Sequence, residues 1–134
     1  MDSATDPTGP EVLVIDGANV VGSRPDGWWK DRSAAAARLH ARLVGSPPLA
    51  TQVVLVLEGR ARGGVGEGST GAVEVVHAHG EGDDTIVAVV ARAAAAGHVV
   101  TVVTADRALA RRAEELGATR RGPDWLLGQI AADG

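Results

Sequence analysis

Cysteine is absent from all 134 residues, which excludes disulfides, zinc-thiolate centres, iron-sulfur ligation and thiol nucleophiles and fits a reducing cytoplasm. Phenylalanine and tyrosine are absent as well, so three tryptophans are the only aromatic residues. Lysine occurs once, as Lys30, and it does not follow a glycine-rich turn, so there is no Walker A phosphate loop and no P-loop NTPase chemistry. No apolar run approaches the roughly 18 residues that span a bilayer. Residues 1–10 are polar and acidic, without the basic and apolar parts of a signal peptide, and read as a disordered tail.

What remains is the composition of one globular domain over residues 11–134, with 45% of the chain apolar and 22% charged. The 13 basic residues stand against 17 acids for a net charge of -4, a sum that argues against a nucleic-acid binder. The distribution carries more information than the sum. Removing Asp16, Glu58, Glu81, Asp83, Asp84 and Asp106 from the 17 acids leaves 11 against 13 basic residues, so the acidity resides in those six positions.

Residues 11–16 (E-V-L-V-I-D) form an apolar run that ends on a carboxylate, the pattern of a strand buried on both faces of a parallel sheet. Gly17, Gly22, Pro25 and Gly27 mark a loop, and residues 33–44 an amphipathic helix capped by Asp31 or Ser33. A second strand is expected at 52–58, then a loop at 59–71 holding six glycines and two arginines. A weaker third strand falls at 72–78, where Glu74 points to solvent or an edge. A helix over 83–96 places Ile86, Val89, Val90 and Ala93 on one stripe and ends at Gly97. A strand at 98–104, a helix at 106–116, a short strand within 117–121 and a helix over 123–132 complete the series. Strands alternating with helices predict a three-layer α/β/α sandwich around a mostly parallel sheet of four to five strands, with its site at the carboxyl ends of the strands.

Asp16, Glu58, the stretch 77–84 and Asp106 all fall at or just after predicted strand ends, so the acids converge on one rim. Neighbouring carboxylates repel by several kcal/mol at an effective dielectric of about 20, and a divalent cation relieves that repulsion. All-oxygen donors favour magnesium or manganese over zinc. The structural alternative is capping: Asp83, Asp84 and Asp106 stand where helix N-caps and first-turn acids belong. Asp16, in I-D-G-A-N, is harder to assign to capping, since Gly17 permits close approach and Asn19 adds a neutral hydrogen-bonding group.

Three rival motifs fail on context. Residues 66–71 (G-E-G-S-T-G) match G-x-G-x-x-G but precede a strand instead of following one, the wrong order for a dinucleotide fingerprint. His77 and His79 followed by Glu81, Asp83 and Asp84 weakly match an H-x-H metal site, but only His98 lies downstream, and both histidines are expected simply to border the rim. A haloacid-dehalogenase phosphatase needs a second aspartate two residues after the first, where Ala18 stands.

V-L-V-I-D-G-A-N-V at 12–20, G-D-D-T-I-V at 82–87 and V-V-T-A-D-R at 102–107, in that order, resemble the PIN-like ribonucleases, and within them the NYN branch with its YacP-like members. With the intervening strands the resemblance covers most of the chain from Val12 to about Leu116. It implies a metal-dependent endoribonuclease in which Asp16, one or both of Asp83 and Asp84, and Asp106 hold Mg2+ or Mn2+, with Asn19 orienting Asp16 or the phosphate. Glu58 stands where many such proteins carry an aspartate, and Ala110 where some carry an acid. Glu58, Glu81 and Thr104 are expected in the outer shell. Adjacent helical residues diverge by about 100°, so one of Asp83 and Asp84 is the ligand and the other a cap or outer group, with Asp84 the first choice.

The acid cluster suits metal-assisted hydrolysis of a phosphodiester without a protein nucleophile, leaving 5′-phosphate and 3′-hydroxyl ends. A two-histidine mechanism would need paired imidazoles, and His40 lies in mid-helix, leaving His77 and His79 as the one close pair. RNA, single-stranded or structured, is the partner implied by the resemblance, held outside the acidic pit by positive charge and stacking. Arg60 and Arg62 in the glycine-rich loop are the first choice for that contact, followed by Trp28, Lys30 and Arg107. Solvated helix faces account equally well for Arg111 and Arg112, and burial for at least one tryptophan.

Overall fold

The computed structural model describes residues 9–24 and 27–130, so the expected tail at 1–8, the loop residue Pro25 and the expected helix end at 131–132 lie outside the described residues. Six strands form one sheet: β1 (Glu11–Asp16), β2 (Gln52–Leu57), β3 (Gly68–Thr70), β4 (Val73–His77), β5 (Val99–Val103) and β6 (Thr119–Arg121). Their order is β3-β4-β2-β1-β5-β6, and every pair is parallel except β3 with β4. The helices are α1 (Gly17–Gly22), α2 (Arg32–Gly45), α3 (Gly82–Ala95), α4 (Arg107–Glu115) and α5 (Pro123–Gln129).

Two apolar clusters, one on each face of the sheet, give the expected three layers. Side chains alternate across a strand, so Leu13, Ile15 and Leu55 pack with Leu39 and Leu43 of α2 and Leu126 and Leu127 of α5. Val12, Val14, Val54 and Val56 pack on the other side with Ile86 and Val90 of α3 and Leu109 and Ala113 of α4. Continuous apolar runs in β1 and β2 are therefore the signature of a sheet covered twice. Among the described residues no helix is long and apolar enough to cross a membrane.

Two segments differ from the expectation. Residues 17–22 are helical, because the Asp16 side chain caps the turn by accepting from the Asn19 N–H at 3.3 Å. The glycine-rich stretch contains a 3-10 helix over Gly59–Gly64 and the strand β3, which pairs antiparallel with β4 and makes the sheet six-stranded. All of β3 is exposed, so backbone pairing alone defines it and no side-chain alternation announces it. With β3 outside it, β4 is not an edge, and Glu74 accepts a hydrogen bond from Gln52 Nε2 at 2.8 Å.

β1 lies between β2 and β5, where the chain stops building one side of the sheet and crosses to build the other. Open α/β sheets form their crevice at the carboxyl ends of the strands at this switch point. Asp16 closes β1 there, Glu58 follows β2, and Thr104 follows β5. The close approach of α1 to β2 depends on Gly17: a Cβ there would lie 2.6 Å from the Val56 carbonyl oxygen and 2.9 Å from Leu57 Cδ2. Gly17→Ala is expected to destabilise the protein by about 1–3 kcal/mol through overpacking, read as a lower midpoint in urea with an unchanged slope.

Candidate active site

Asp16 is 6% exposed and ends its strand with both carboxylate oxygens engaged. Oδ1 accepts from the Asn19 N–H, and Oδ2 accepts from the Thr104 hydroxyl at 3.0 Å. Thr104 is 0% exposed, and its Oγ1 also accepts from the Asp106 N–H at 3.0 Å. A single hydroxyl thus uses its donor on the end of β1 and an acceptor lone pair on the turn into α4. Asn19 makes a second tie between the same two segments, its Oδ1 accepting from the Ala105 N–H at 2.8 Å. Arg120, on β6, donates to the Thr104 carbonyl oxygen at 3.0 Å.

Asp106 caps α4, with Oδ1 accepting from the Ala108 and Leu109 N–H groups at 2.9 and 3.1 Å. The capping expectation is met here, and it leaves Oδ2 for other partners. Glu58 reaches across to the start of α3, where a Cβ at Gly82 would stand 2.8 Å from its Oε1. Gly82 is therefore a contact of the carboxylate rim, a role visible only once α3 and β2 are juxtaposed.

Electrostatics links these acids. The Asp16 pKa is raised, chiefly by burial, and further by the charges of Asp83 and Glu58, against the lowering effect of its hydrogen bonds from Thr104 and Asn19. The Asp83 carboxyl is also raised, by burial first and then by Asp106, Glu58 and Glu81, with Arg112 opposing. Asp16, Glu58, Glu81, Asp83 and Asp106 therefore share one field. Asp84 faces elsewhere: its side chain is 84% exposed and pairs with Arg112 at 3.1 Å. The 100° divergence of neighbours on α3 thus turns Asp83, not the first-choice Asp84, toward the rim.

The donor chemistry fits a hard divalent cation, being entirely carboxylate and hydroxyl oxygen around a buried aspartate. Among the described residues, no three acid or imidazole side chains are grouped closely enough to ligate one ion together. Magnesium commonly keeps several waters and touches the protein through only one or two carboxylates, so a rim of this kind does not require a closed protein shell.

The basic residues divide into engaged and available groups. Arg62 is engaged in its own loop, donating to the Gly59 and Ala78 carbonyl oxygens at 3.1 and 3.4 Å. Arg60 instead lines an open cavity with Trp29, Lys30 and Arg32, while its backbone carbonyl accepts from Ser33 Oγ at 2.8 Å. Trp28 is partly buried beneath the Arg32 guanidinium, 5.5 Å from its ring centre, whereas Trp29 is 56% exposed. Arg107 is exposed at the start of α4. His77 borders the rim in a structural role, its ring nitrogen hydrogen-bonded to the Val65 carbonyl oxygen at 2.7 Å and its backbone N–H donating to the Glu67 carboxylate. Sequence reasoning passed over Arg120. Arg120 lies opposite Val102 in the β5–β6 register, which becomes a signal only when β6 is aligned beside β5.

Because the Asp16 pKa is raised in the folded protein, the native state holds more protons than the unfolded chain between the two pKa values, and the stability contributed by this group is lost as pH rises through the folded value. Asp16→Asn is expected to raise Tm at about pH 7.5, with the gain shrinking toward about pH 4, as followed by thermal melts across that range. Thr104→Val is expected to cost about 1–3 kcal/mol by leaving Asp16 Oδ2 without its donor, and to push the Asp16 pKa higher still in a carboxyl NMR titration.

No protein-family model matches the chain, and no curated protein matches it. Among solved structures the fold is similar to that of Rae1 (YacP) from Bacillus subtilis, with a TM-score of 0.60 and 18% identity over 88% of this chain and 73% of that one. At that identity the likeness is one of fold: an α/β sandwich with a mostly parallel sheet and its crevice at the strand ends.

Proposed function

We propose that this protein is a divalent-metal-dependent endoribonuclease that hydrolyses RNA phosphodiester bonds to 5′-phosphate and 3′-hydroxyl ends. The observation that supports this reading is a buried Asp16 at the switch point of the sheet whose charge burial disfavours and which feels the charges of Asp83 and Glu58. The fold neighbour bears the name of the same YacP-like branch that the three motifs resemble. RNA as the substrate rests on that resemblance.

Asp16, Asp83 and Asp106 are the residues that would hold Mg2+ or Mn2+, with Glu58 and Glu81 beside them and Asp84 outside. Held there, such a cation would supply a water of lowered pKa and would take up charge on the phosphate oxygens. The chain's own contribution is positional. Thr104 and Asn19 hold the Asp16 carboxylate and the turn before α4 in one arrangement, so no side chain has to reorganise when substrate arrives. Asp106 keeps one oxygen on its helix and presents the other. Asp83 is partly exposed and shares its field with the exposed Glu81. A weakly catalytic module that binds RNA or a protein is the second reading, favoured by the absence of a closed group of three ligands among the described residues.

Purified protein should cleave RNA with magnesium or manganese and not with chelator, leaving ends that a 5′-phosphate-dependent exonuclease can degrade. Asp16→Asn is expected to abolish cleavage with the fold intact, and Thr104→Val to lower the rate by about 10–100-fold. Asp83→Asn should be far more damaging than Asp84→Asn. Manganese should raise the Tm of the parent protein and leave that of Asp16→Asn unchanged. Cleavage that survives chelator, or products with cyclic phosphate ends, would overturn the nuclease reading, and RNA binding without cleavage would favour the second.

A further inference from the structure

The 3-10 turn Trp28–Lys30 sits between β1 and α2 and carries adjacent tryptophans in different states. Trp28 lies against Gly22, where a Cβ would be 3.4 Å from its ring, and beneath the Arg32 guanidinium. Its ring meets that of Trp29 edge-on, with centroids 6.3 Å apart and planes at 89°. Trp28 thus acts as a pedestal, and Trp29 is the largest exposed apolar side chain among the described residues. An indole left in water beside two cations is unexplained by packing.

The space in front of it is built on both sides. Trp29, Lys30 and Arg32 form one wall of an open cavity of about 500 Å³, and Arg60 forms the other. The Arg60 wall is fixed: Ser33 Oγ donates to the Arg60 carbonyl oxygen, and Gly64 packs so closely on the Ser33 carbonyl that no side chain fits. Asp31, the acid at this cavity, is turned to capping α2 through the Ala34 N–H. A second cavity of about 230 Å³, lined by Gly17, Trp28, Arg32 and Glu58, adjoins the first through Arg32 and reaches the carboxylate rim through Gly17 and Glu58. Arg32 therefore lines both cavities, with the acid Glu58 on one side of it and the exposed indole on the other.

We propose that Trp29 is a stacking platform for an unpaired base next to the scissile phosphate, with Lys30 and Arg60 holding the adjoining backbone phosphates, so that the protein selects single-stranded over duplex RNA. This rests on the nuclease reading for its choice of RNA. Stacking on an aromatic face requires a base free of its own neighbours, which a duplex does not offer, while the flanking cations bind either form.

The test separates binding from cleavage by using the full chain with Asp16→Asn, in chelator, and fluorescence anisotropy with an RNA of about 12 nucleotides, unpaired or in duplex. Unpaired RNA should bind more tightly than duplex and quench tryptophan emission. Adding Trp29→Ala should weaken unpaired binding by about tenfold, leave duplex binding unchanged and remove most of the quenching, while Trp29→Phe should keep most of the affinity. Lys30→Ala and Arg60→Ala should each flatten the dependence of log K on log salt by about 0.7. Equal affinity for the two RNAs, or unpaired binding indifferent to Trp29→Ala in a variant with unchanged circular dichroism, overturns the proposal. Trp29-dependent binding in a protein that never cleaves would overturn the nuclease reading alone and leave the platform standing.

Discussion

One buried carboxylate governs the arrangement of the strand ends. Asp16 is enclosed at the centre of the sheet, where burial and the neighbouring acids both oppose its charge. Two hydrogen bonds compensate only in part. Packing alone would be served as well by a neutral side chain of the same shape, so the acid is retained against the local preference of the fold. Groups perturbed in this way concentrate at functional sites.

The surroundings of Asp16 are organised to hold it rather than to neutralise it. Among the described residues no cation is paired with it; its partners are a hydroxyl and a backbone amide, and the two residues supplying those bonds, Thr104 and Asn19, also engage the β5–α4 turn. Positive charge borders the rim at Arg112 and Arg120, and a further group of cations lies on the turn before α2 and the glycine-rich segment. Under the proposed function, that second group suits the phosphates of a polyanion that flank the one approaching the acids.

Most of this architecture was legible in the residue pattern. The doubly apolar runs of β1 and β2, the stripe of α3 and the glycines Gly97 and Gly117 at helix ends, both with positive φ, are local signals, and they appear where expected. Asp16, Asp83 and Asp106 were expected at one rim because each follows a strand whose neighbours the α/β alternation implies. Harder to read were features set by contacts across the sheet. β3 has no hydrophobic alternation, and α1 looked like a loop because its cap is the same aspartate that ends β1. The choice between Asp83 and Asp84 turned on the rotation of α3 about its own axis, which the apolar stripe fixes only to within a residue. Arg60 and Arg62, two apart in one loop, received opposite fates from a carbonyl at Ala78 that no local pattern could foretell.

The bond between Thr104 and Asp16 spans 88 positions of the chain, and Asn19 reaches Ala105 across 86. Loop closure over such distances comes late and only with the intervening strands in place. A polypeptide still emerging from the ribosome therefore carries the first aspartate long before it carries the residues that immobilise it. The carboxylate rim is thus assembled as one unit, when the β5–α4 turn closes onto the end of β1.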